Sequence, residues 1–456
     1  MNLPRILVAA PASGGGKTTL ACGLLQLLTE RGLRPAAFKC GPDFIDPLFH
    51  REIIGAASAN LDLFFTGEET VRGLMLRGSE GCGMAVLEGV MGYYDGLGGV
   101  SERAGSFHLA RATGTPAVLA VDVRGASLSL AALVKGFLEF RRPSGIRALF
   151  LNRCSQPLFS LLRPMLEQET GLPVLGYLPP SPELALESRH LGLVTPQDAE
   201  RLREKLGKLA ALLRGTLDLD RLLELAGQAP PVEAALPRAA CLTGDRPVRL
   251  AVARDRAFCF YYQESLALLE ELGAQLVPFS PLQDDALPQG VHGLYLGGGY
   301  PELWAEQLAG NSSMRCSVRQ AVAAGLPTLA ECGGFLYLHR ELEDREGRSF
   351  PMAGALPFRA FPARGKRRFG YVTLTARQDC LLCPRGGQIP AHEFHYWESD
   401  SPGEAFTAEK PLGRGSWACV HAGGSLFAGF PHLYLYGAPG FAEGFVRRMA
   451  EYRQRG

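Results

Sequence analysis

Short, unbroken apolar runs alternate with longer segments of helical periodicity from residue 3 to about residue 225. Unbroken apolar runs are typical of parallel strands that are buried on both faces, and the helices between them complete βαβ units. The pattern therefore predicts a doubly wound α/β domain, whose ligands gather at the carboxyl ends of the strands. The predicted strands are Arg5–Ala10, Pro35–Lys39, Met84–Glu88, Ala117–Asp122, Ala148–Asn152 and Val174–Tyr177, and the predicted helices include Lys17–Glu30, Leu128–Phe140 and Leu158–Glu169.

The same rhythm resumes at residue 248, after a stretch in which prolines interrupt any helix or strand. A charged helical segment, Asp198–Leu225, closes the first half. We predict a first domain at residues 1–225, a linker at 226–247 and a second α/β domain at 248–456. The second domain has predicted strands Val248–Ala253, Gln275–Phe279, Gly293–Leu296 and Pro327–Ala330, and predicted helices Gln263–Leu272 and Met314–Ala324.

A glycine-rich loop joins the first predicted strand to the first predicted helix. Three glycines precede a lysine and two threonines, in the order Gly14, Gly15, Gly16, Lys17, Thr18 and Thr19. The backbone N–H groups and the helix dipole of such a loop bind phosphate, the lysine reaches the outer phosphates, and a threonine hydroxyl binds Mg2+. Pro11 stands where the usual motif has its first glycine. Because the strand and the helix are in place, we predict a nucleotide-binding loop that takes ATP and Mg2+.

Carboxylates follow two further strands of the first domain. Asp43 and Asp46 lie in the turn after the second predicted strand, and Glu88 ends the next one. Carboxylate oxygens are the ligands that Mg2+ prefers, so these three residues and Thr18 are the candidate metal ligands. Lys39, at the end of its strand, would add positive charge for phosphates or for a substrate carboxylate.

A strand in the second domain runs into Cys332, with Gly333 and Gly334 behind it and a helix beyond. This is the arrangement of a nucleophile elbow, in which backbone N–H groups beside an exposed nucleophile stabilise an oxyanion. A helix N-terminus is also expected to lower the pKa of the thiol. We therefore predict that Cys332 is a nucleophile, and that the glycines at 297–299 allow close approach of backbone to substrate.

A nucleophilic cysteine requires an imidazole as its base. His392, His395, His421 and His432 are the candidates, and their spacing alone does not choose among them. A metal site at the first two of these is disfavoured, because no third ligand is evident and the alternation there is typical of a strand.

Composition narrows the class of protein further. The chain of 456 residues has 47 Lys and Arg against 46 Asp and Glu, so no bulk charge suggests nucleic acid or a membrane as a partner. Its 11 scattered cysteines suggest reduced thiols, and its first strand begins so early that we expect no signal peptide. We expect a cytoplasmic protein with small-molecule partners, and a homodimer is compatible with the sequence.

The stretches described above, with a few others, resemble the cobyrinic acid a,c-diamide synthase family of the cobalamin pathway. Seven stretches in the same order carry the resemblance, which makes it specific and extends it over essentially the whole chain. They are Ala10–Thr18, Phe38–Pro47, Glu88–Gly96, Arg189–Leu193, Ala251–Asp255 with Ala257–Tyr262, Ala330–Gly334 and His392–Tyr396.

The resemblance implies an N-terminal domain of the P-loop NTPase type, similar to dethiobiotin synthetase, and a C-terminal class I glutamine amidotransferase domain. It implies Cys332 as the glutaminase nucleophile and His432 as its base. Many class I glutaminases carry a Glu two residues after that His, whereas this chain has Tyr434, so the third catalytic position is unassigned. We expect the substrate-binding residues to be Lys39, Asp43, Phe44 (often Tyr in the family), Asp46, Glu88 and Asp95.

The resemblance also implies the reaction. ATP would phosphorylate a corrinoid carboxylate, and ammonia from glutamine would displace the phosphate, first at one and then at the other of the a and c acetates. The same chemistry on hydrogenobyrinic acid or nickel sirohydrochlorin is an alternative. Cobyric acid synthase is another, but the stretch Gly41–Pro47 argues against it. A partitioning-type ATPase switch is disfavoured, because Ala12 and Ser13 stand where such proteins carry a signature lysine.

Overall fold

The structure is a computed structural model that describes residues 2–184, 196–236, 239–363, 368–413 and 415–455. The family stretch Arg189–Leu193 lies outside the described residues. The chain divides into two compact units between residues 236 and 237. Within the predicted linker, Ala226 and Val232 are buried. In the described part of the chain, the structure contains no helix that is both long and apolar enough to cross a membrane.

A seven-stranded parallel sheet forms the centre of the first unit, with strand order β3-β2-β4-β1-β5-β6-β7. Its strands are β1 Arg5–Ala9, β2 Pro35–Cys40, β3 Ala57–Leu61, β4 Met84–Glu88, β5 Ala117–Asp122, β6 Ile146–Asn152 and β7 Val174–Leu178. The α-helices are α1 Lys17–Glu30, α2 Ile45–Phe49, α3 Glu68–Gly78, α4 Ser106–Thr113, α5 Ser129–Phe140, α6 Gln156–Thr170, α7 Pro196–Thr216 and α8 Leu219–Gly227. The carboxyl ends of β1, β2 and β4 are neighbours, which gathers the predicted site residues at one edge.

Helices α1 and α7 pack against the sheet and contribute much of the core of this unit. Gly23 of α1 permits the close approach of these helices, because an added Cβ would lie 2.6 Å from Leu213 and 2.8 Å from Leu209. The charged helical segment predicted at Asp198–Leu225 consists of two helices, α7 and α8. The break falls at Asp218, whose carboxylate accepts a hydrogen bond from the Arg221 N–H and caps α8.

Two larger sheets and two smaller ones, β12-β9 and β15-β14-β16-β19, make up the second unit in the described residues. The first has the order β10-β8-β11-β13-β23-β22 and is parallel except for β22, and the second is antiparallel with the order β21-β20-β17-β18-β24. The strands of the parallel sheet are β8 Val248–Ala253, β10 Ala274–Phe279, β11 Gly293–Leu296, β13 Thr328–Glu331, β22 His421–Ala422 and β23 Leu426–Gly429. Those of the antiparallel sheet are β17 Phe369–Ala376, β18 Gln388–Phe394, β20 Phe406–Glu409, β21 Ser416–Cys419 and β24 His432–Leu433.

Smaller elements complete this unit. The remaining strands are β9 Phe258–Phe260, β12 Gly298–Gly299, β14 Glu341–Glu343, β15 Ser349–Pro351, β16 Arg359–Pro362 and β19 Trp397–Ser399. The helices are α9 Gln263–Glu271, α10 Ala305–Gly310, α11 Ser312–Ala323, α12 Gly333–Leu338 and α13 Pro439–Arg455. The doubly wound prediction describes the first sheet of this unit, whereas the antiparallel sheet was not predicted. Between β23 and β24 the chain passes from one sheet to the other within two residues, and this places the end of β13 beside β24.

Candidate active sites

The glycine loop of the first unit adopts a backbone that only glycine adopts readily. Gly14 and Gly16 have φ angles of 77° and 96°. Gly16 also touches its surroundings closely, because an added Cβ would lie 2.2 Å from Nδ2 of Asn152. Asn152 Nδ2 donates to the Gly15 carbonyl at 3.1 Å, and Arg153 donates to the Gly14 carbonyl at 3.3 Å. The end of β6 therefore holds the loop in place.

Lys17 is folded back over this loop. Its ammonium donates to the carbonyls of Ala12, at 3.2 Å, and Met91, at 2.5 Å. Burial, with a contribution from Lys39, lowers the pKa of Lys17 to about 8. Lys17 is therefore still mainly protonated near pH 7, and an anionic phosphate beside it would raise its pKa again. Thr19 lies in the first turn of α1 and is half-buried.

Lys39 lies between two of the predicted carboxylates. Its Nζ is 2.6 Å from Asp46 Oδ2 and 2.9 Å from Glu88 Oε1, and all three side chains are buried. Burial by itself lowers the pKa of Lys39, but Glu88 and Asp46 outweigh burial and raise it above its ordinary value. Conversely, burial raises the pKa of Glu88, but Lys39 and His50 hold it well below its ordinary value. Lys39 and Glu88 are therefore both ionised.

The predicted metal ligands are only partly brought together. Thr18 Oγ1 donates to Glu88 Oε1 at 2.5 Å, so a hydroxyl and an ionised carboxylate meet at the end of the phosphate loop. Within the described residues, no group of three or more His, Cys, Asp or Glu side chains is arranged to hold a metal ion. The expected cluster of Asp43, Asp46 and Glu88 is thus not formed, because Lys39 lies between Asp46 and Glu88 and the Asp43 carboxylate caps a turn instead.

The other predicted substrate residues lie on two loops. Asp43 Oδ1 accepts hydrogen bonds from the N–H groups of Ile45, at 2.8 Å, and Asp46, at 3.1 Å, and Phe44 precedes α2. Asp95 is exposed and accepts a hydrogen bond from the Gly92 N–H at 3.0 Å. Asp43 and Asp95 therefore shape the loops after β2 and β4 in this structure.

Cys332 has the backbone of a nucleophile elbow. Its φ and ψ angles are 47° and −102°, which is strained for any residue that has a side chain. Gly334 makes the tight turn into α12 possible, because an added Cβ would lie 2.0 Å from the Leu296 carbonyl oxygen. The Cys332 N–H donates to the Gly429 carbonyl at 2.8 Å, and its Sγ lies 4.0 Å from the Phe394 carbonyl oxygen. The thiol is therefore held between β23 and β18.

The expectation of a lowered thiol pKa is wrong for this structure. Burial, and then the nearby carboxyl of Glu302, raise the pKa of Cys332 well above its ordinary value. A hydrogen bond from the Gly333 N–H acts in the opposite direction but is smaller. The helix that begins here has only six residues, so its dipole does not overcome burial. The resting cysteine is therefore a thiol that needs a base.

His432 is the candidate histidine that the structure places beside the end of β13. Its Nδ1 lies 3.9 Å from Oε2 of Glu331, the residue before Cys332. Burial, and then His392 and His395, lower the pKa of His432 to about 3, so the imidazole is neutral. His392 pairs with His432 across β18 and β24, whereas His395 Nδ1 lies 2.6 Å from the Trp397 carbonyl oxygen.

The fourth candidate histidine, His421, lies at β22. Its Nε2 is 2.9 Å from the Ser401 carbonyl oxygen, and its ring stacks on Phe358. The contacts of His421 are thus with a backbone carbonyl and an aromatic ring, and they assign it no catalytic role.

The sequence did not single out two groups of these sites, the carboxyl of Glu331 and the imidazole of His50. Glu331 accepts hydrogen bonds from the Tyr295 hydroxyl, at 3.0 Å, and from the Leu433 N–H, at 3.1 Å. His50 lies with its Nε2 3.6 Å from Glu88 Oε2. The position of Glu331 directly before the cysteine was a usable signal, whereas His50 begins a short π-helix, His50–Ile54, that no pattern singled out.

Gly298 provides a test of the histidine assignment. An added Cβ at Gly298 would lie 2.3 Å from Cε1 of His432, so Gly298→Ala is expected to displace the imidazole. We expect glutamine hydrolysis to fall about 100-fold. The measurement is glutamate release from glutamine, with Gly310→Ala as the matched control because its Cβ would meet open space. Equal rates for the two variants would contradict the assignment of His432.

Two family descriptions match this chain in succession. The CobQ/CobB/MinD/ParA nucleotide binding domain matches residues 6–194, and the CobB/CobQ-like glutamine amidotransferase domain matches residues 249–438.

Curated relatives match along almost the full length of the chain. A protein of Caldanaerobacter subterraneus subsp. tengcongensis is 37% identical over 98% of this chain and 99% of its own. One of Dehalococcoides mccartyi is 35% identical over 98% of both chains, and one of Listeria innocua is 38% identical over 95% of this chain and 97% of its own. All three relatives are named cobyrinate a,c-diamide synthase.

Proposed function

Because this chain belongs to the cobyrinate a,c-diamide synthase family, we propose that it amidates the a and c acetate carboxylates of cobyrinic acid. It is a glutamine-dependent amidoligase of cobalamin synthesis with a nucleotide-binding domain. The observation that carries the proposal is the presence in one chain of two different sites. One has ionised groups around a phosphate loop, and the other has a strained cysteine beside a neutral histidine.

The proposed role of the first site is to activate a carboxylate. A carboxylate is a poor electrophile for ammonia, so ATP transfers a phosphoryl group to it and phosphate becomes the leaving group. Lys17 binds the outer phosphates, for which the Ala12 and Met91 carbonyls hold its ammonium in position. Lys39, fixed by Asp46 and Glu88, supplies positive charge for the anionic reactants.

Mg2+ fits one part of this site. The meeting of Thr18 Oγ1 and Glu88 Oε1 provides two hard oxygen donors, so these residues would hold the ion. Bound there, Mg2+ supplies positive charge that offsets the charge of the nucleotide phosphates.

The proposed role of the second site is to release ammonia. Cys332 Sγ attacks the side-chain carbonyl of glutamine as His432 takes its proton, and the C–N bond then breaks as His432 protonates the leaving amine. Water hydrolyses the resulting thioester to glutamate and regenerates the thiol. Backbone N–H groups at Gly333 and Gly299 are proposed to stabilise the oxyanion, since a Cβ added at Gly333 would lie 3.0 Å from the Gly299 nitrogen.

The amidation reaction itself tests the proposed function. Candidate tetrapyrroles are incubated with the protein, ATP, Mg2+ and glutamine, and mass spectrometry follows the exchange of carboxylate for amide. We expect two exchanges on cobyrinic acid and none, or far slower ones, on hydrogenobyrinic acid and nickel sirohydrochlorin. Two exchanges on one of the latter alone would replace the substrate assignment, and glutamine-independent ATP turnover without any amide product would contradict the enzyme mechanism.

A further inference from the structure

A buried carboxyl lies where the glutaminase site needs a partner for its histidine. Tyr434 stands two residues after His432, and a tyrosine hydroxyl is a weaker partner for imidazole than the carboxylate usual at that position. Glu331 lies on a different strand, β13, yet its Oε2 is 3.9 Å from His432 Nδ1. It is 2% exposed, so its interactions are those made within the protein.

We propose that Glu331 is the positioning residue of the glutaminase site, where it holds His432 in the tautomer that can accept a proton from Cys332. This inference rests on the proposed glutaminase function and adds the third member that the sequence left unassigned. Glu331 acts through His432 and does not touch the reacting atoms.

The geometry of the imidazole ring carries the first step. Nδ1 faces the Glu331 carboxylate, and the Cε1 edge of the ring rests against Gly298. A carboxylate that accepts a hydrogen bond from Nδ1–H leaves the lone pair of the ring on Nε2, the atom on the other side of Cε1. A general base requires that lone pair. When His432 takes the thiol proton, the negative charge of Glu331 also stabilises the imidazolium.

Two donors hold the carboxyl group in this orientation. The Leu433 N–H donates to Oε1 at 3.1 Å, and the Tyr295 hydroxyl donates to Oε2 at 3.0 Å. Leu433 follows His432 directly, so the same carboxylate is bonded to the backbone of β24 and faces the imidazole on it. Oε1 thus fixes the strand, and Oε2 is left to Tyr295 and His432.

The pKa of Glu331 differs in its consequence from those of the groups around it. The groups that face it or interact with it are Tyr295, Tyr261, Cys332 and His432. Burial raises the pKa of both tyrosines and of the thiol well above their ordinary values, and lowers that of His432 to about 3. Burial also raises the pKa of Glu331, to about 8. In this set Glu331 is the group that changes charge near neutral pH.

The pKa of Glu331 determines the direction of the pH effect. The ionised carboxylate is the stronger acceptor for Nδ1–H and the form whose charge stabilises the imidazolium, so glutaminase activity should rise as pH increases through about 8. The stretch of the profile below that pH should rise about tenfold per pH unit. A purely structural glutamate would not place a limb in the profile of kcat/KM.

The test compares Glu331→Gln with Glu302→Gln, since Glu302 is the carboxyl with the largest effect on the pKa of Cys332 and its own pKa is raised to about 7. In Glu331→Gln we expect kcat with glutamine to fall about 100-fold, KM for glutamine to stay within about threefold, and the rising limb below pH 8 to disappear. Glu302→Gln should keep that limb. Amidation with ammonium chloride should be unchanged in both variants, because it does not use His432.

Tyr295→Phe is the milder second variant and keeps the inference testable if Glu331→Gln does not fold. It should lower kcat with glutamine about tenfold, since the carboxylate loses one donor. Nitrogen NMR of the imidazoles gives an independent measurement. His432 should be protonated at Nδ1 above the pH of the limb in the wild type and should lose that preference in Glu331→Gln, with His432→Gln used to assign the signal.

Three results would overturn the inference. They are an unchanged kcat in Glu331→Gln, a change confined to KM, and a limb near pH 8 that survives in Glu331→Gln. The proposed glutaminase function fails differently, namely if Cys332→Ser still hydrolyses glutamine at the wild-type rate.

Discussion

Cys332→Ser is expected to lower glutamine-dependent amidation by at least about 1000-fold while ammonia-dependent amidation stays at the wild-type rate. The hydroxyl of serine is far less acidic than a thiol, and this site already raises the pKa of Cys332 because it is buried. His432, with a pKa lowered to about 3, is too weak a base to ionise a serine there. The measurement is the rate of amide formation with each nitrogen source at saturating ATP.

Cys316→Ser is the matched control for this prediction, because Cys316 is half-buried on α11 and has no place in either site. Its two rates should equal those of the wild type. If Cys332→Ser loses the ammonia-dependent reaction as well, the effect is a loss of folding and not of a nucleophile. If it keeps the glutamine-dependent reaction, Cys332 is not the nucleophile.

Features that depend on neighbouring residues in the chain were predictable from the sequence. The strand Met84–Glu88 and the helix Lys17–Glu30 have the predicted bounds, because an unbroken apolar run and a helical period are local signals. The elbow at Cys332 was also readable, since Gly333 and Gly334 are what the tight turn into α12 requires.

Features that depend on contacts between distant segments were not predictable in the same way. No local signal indicates that Lys39 lies between Asp46 and Glu88, so the three carboxylates after β2 and β4 were expected to share a metal ion. The contact between Glu331 and His432 joins two sheets, and β24, which carries His432, is only two residues long and gives no strand signal in the sequence. Such contacts are set by packing and not by spacing along the chain.

The thiol pKa illustrates the same division. The sequence places Cys332 at a helix N-terminus, which favours a thiolate, but it does not reveal that the side chain is only 7% exposed. Burial has the larger effect, so the pKa rises. Local geometry was predicted correctly, and the electrostatics that depend on the whole fold were not.

The two sites differ in whether their buried groups carry charge. In the first unit, Lys39 and Glu88 are both ionised because each compensates the burial of the other. In the second unit, burial favours the neutral forms of Cys332 and His432. The first arrangement suits a site that receives highly charged phosphates. The second suits a site in which charge separates only when glutamine is bound, which limits wasteful hydrolysis of other electrophiles by a free thiolate.

Glu88→Gln is expected to remove amidation with either nitrogen source, by about 1000-fold, which distinguishes it from Cys332→Ser. The carboxylate lies 2.9 Å from Lys39 Nζ, 2.5 Å from Thr18 Oγ1 and 3.6 Å from His50 Nε2, and the amide would provide no charge for any of them. Removal of one member of a buried charge cluster typically costs about 3 kcal/mol or more, so the free energy of unfolding should fall by about that amount. Urea unfolding measures the stability change, and the two amidation rates measure the function.

Glu69→Gln is the matched control for Glu88→Gln, because Glu69 is exposed in the first turn of α3 and is replaced by the same amide. It should change neither rate and leave the free energy of unfolding within about 0.5 kcal/mol. In Glu88→Gln, Lys39 keeps Asp46 as a partner at 2.6 Å, so this variant should still be folded in the absence of urea. Its amidation rates can therefore be measured on folded enzyme. An amidation rate within tenfold of wild type in that folded protein would show that the charge of Glu88 is not needed. Both its proposed contact with Mg2+ and its role in holding Lys39 for the reactants would then have to be withdrawn.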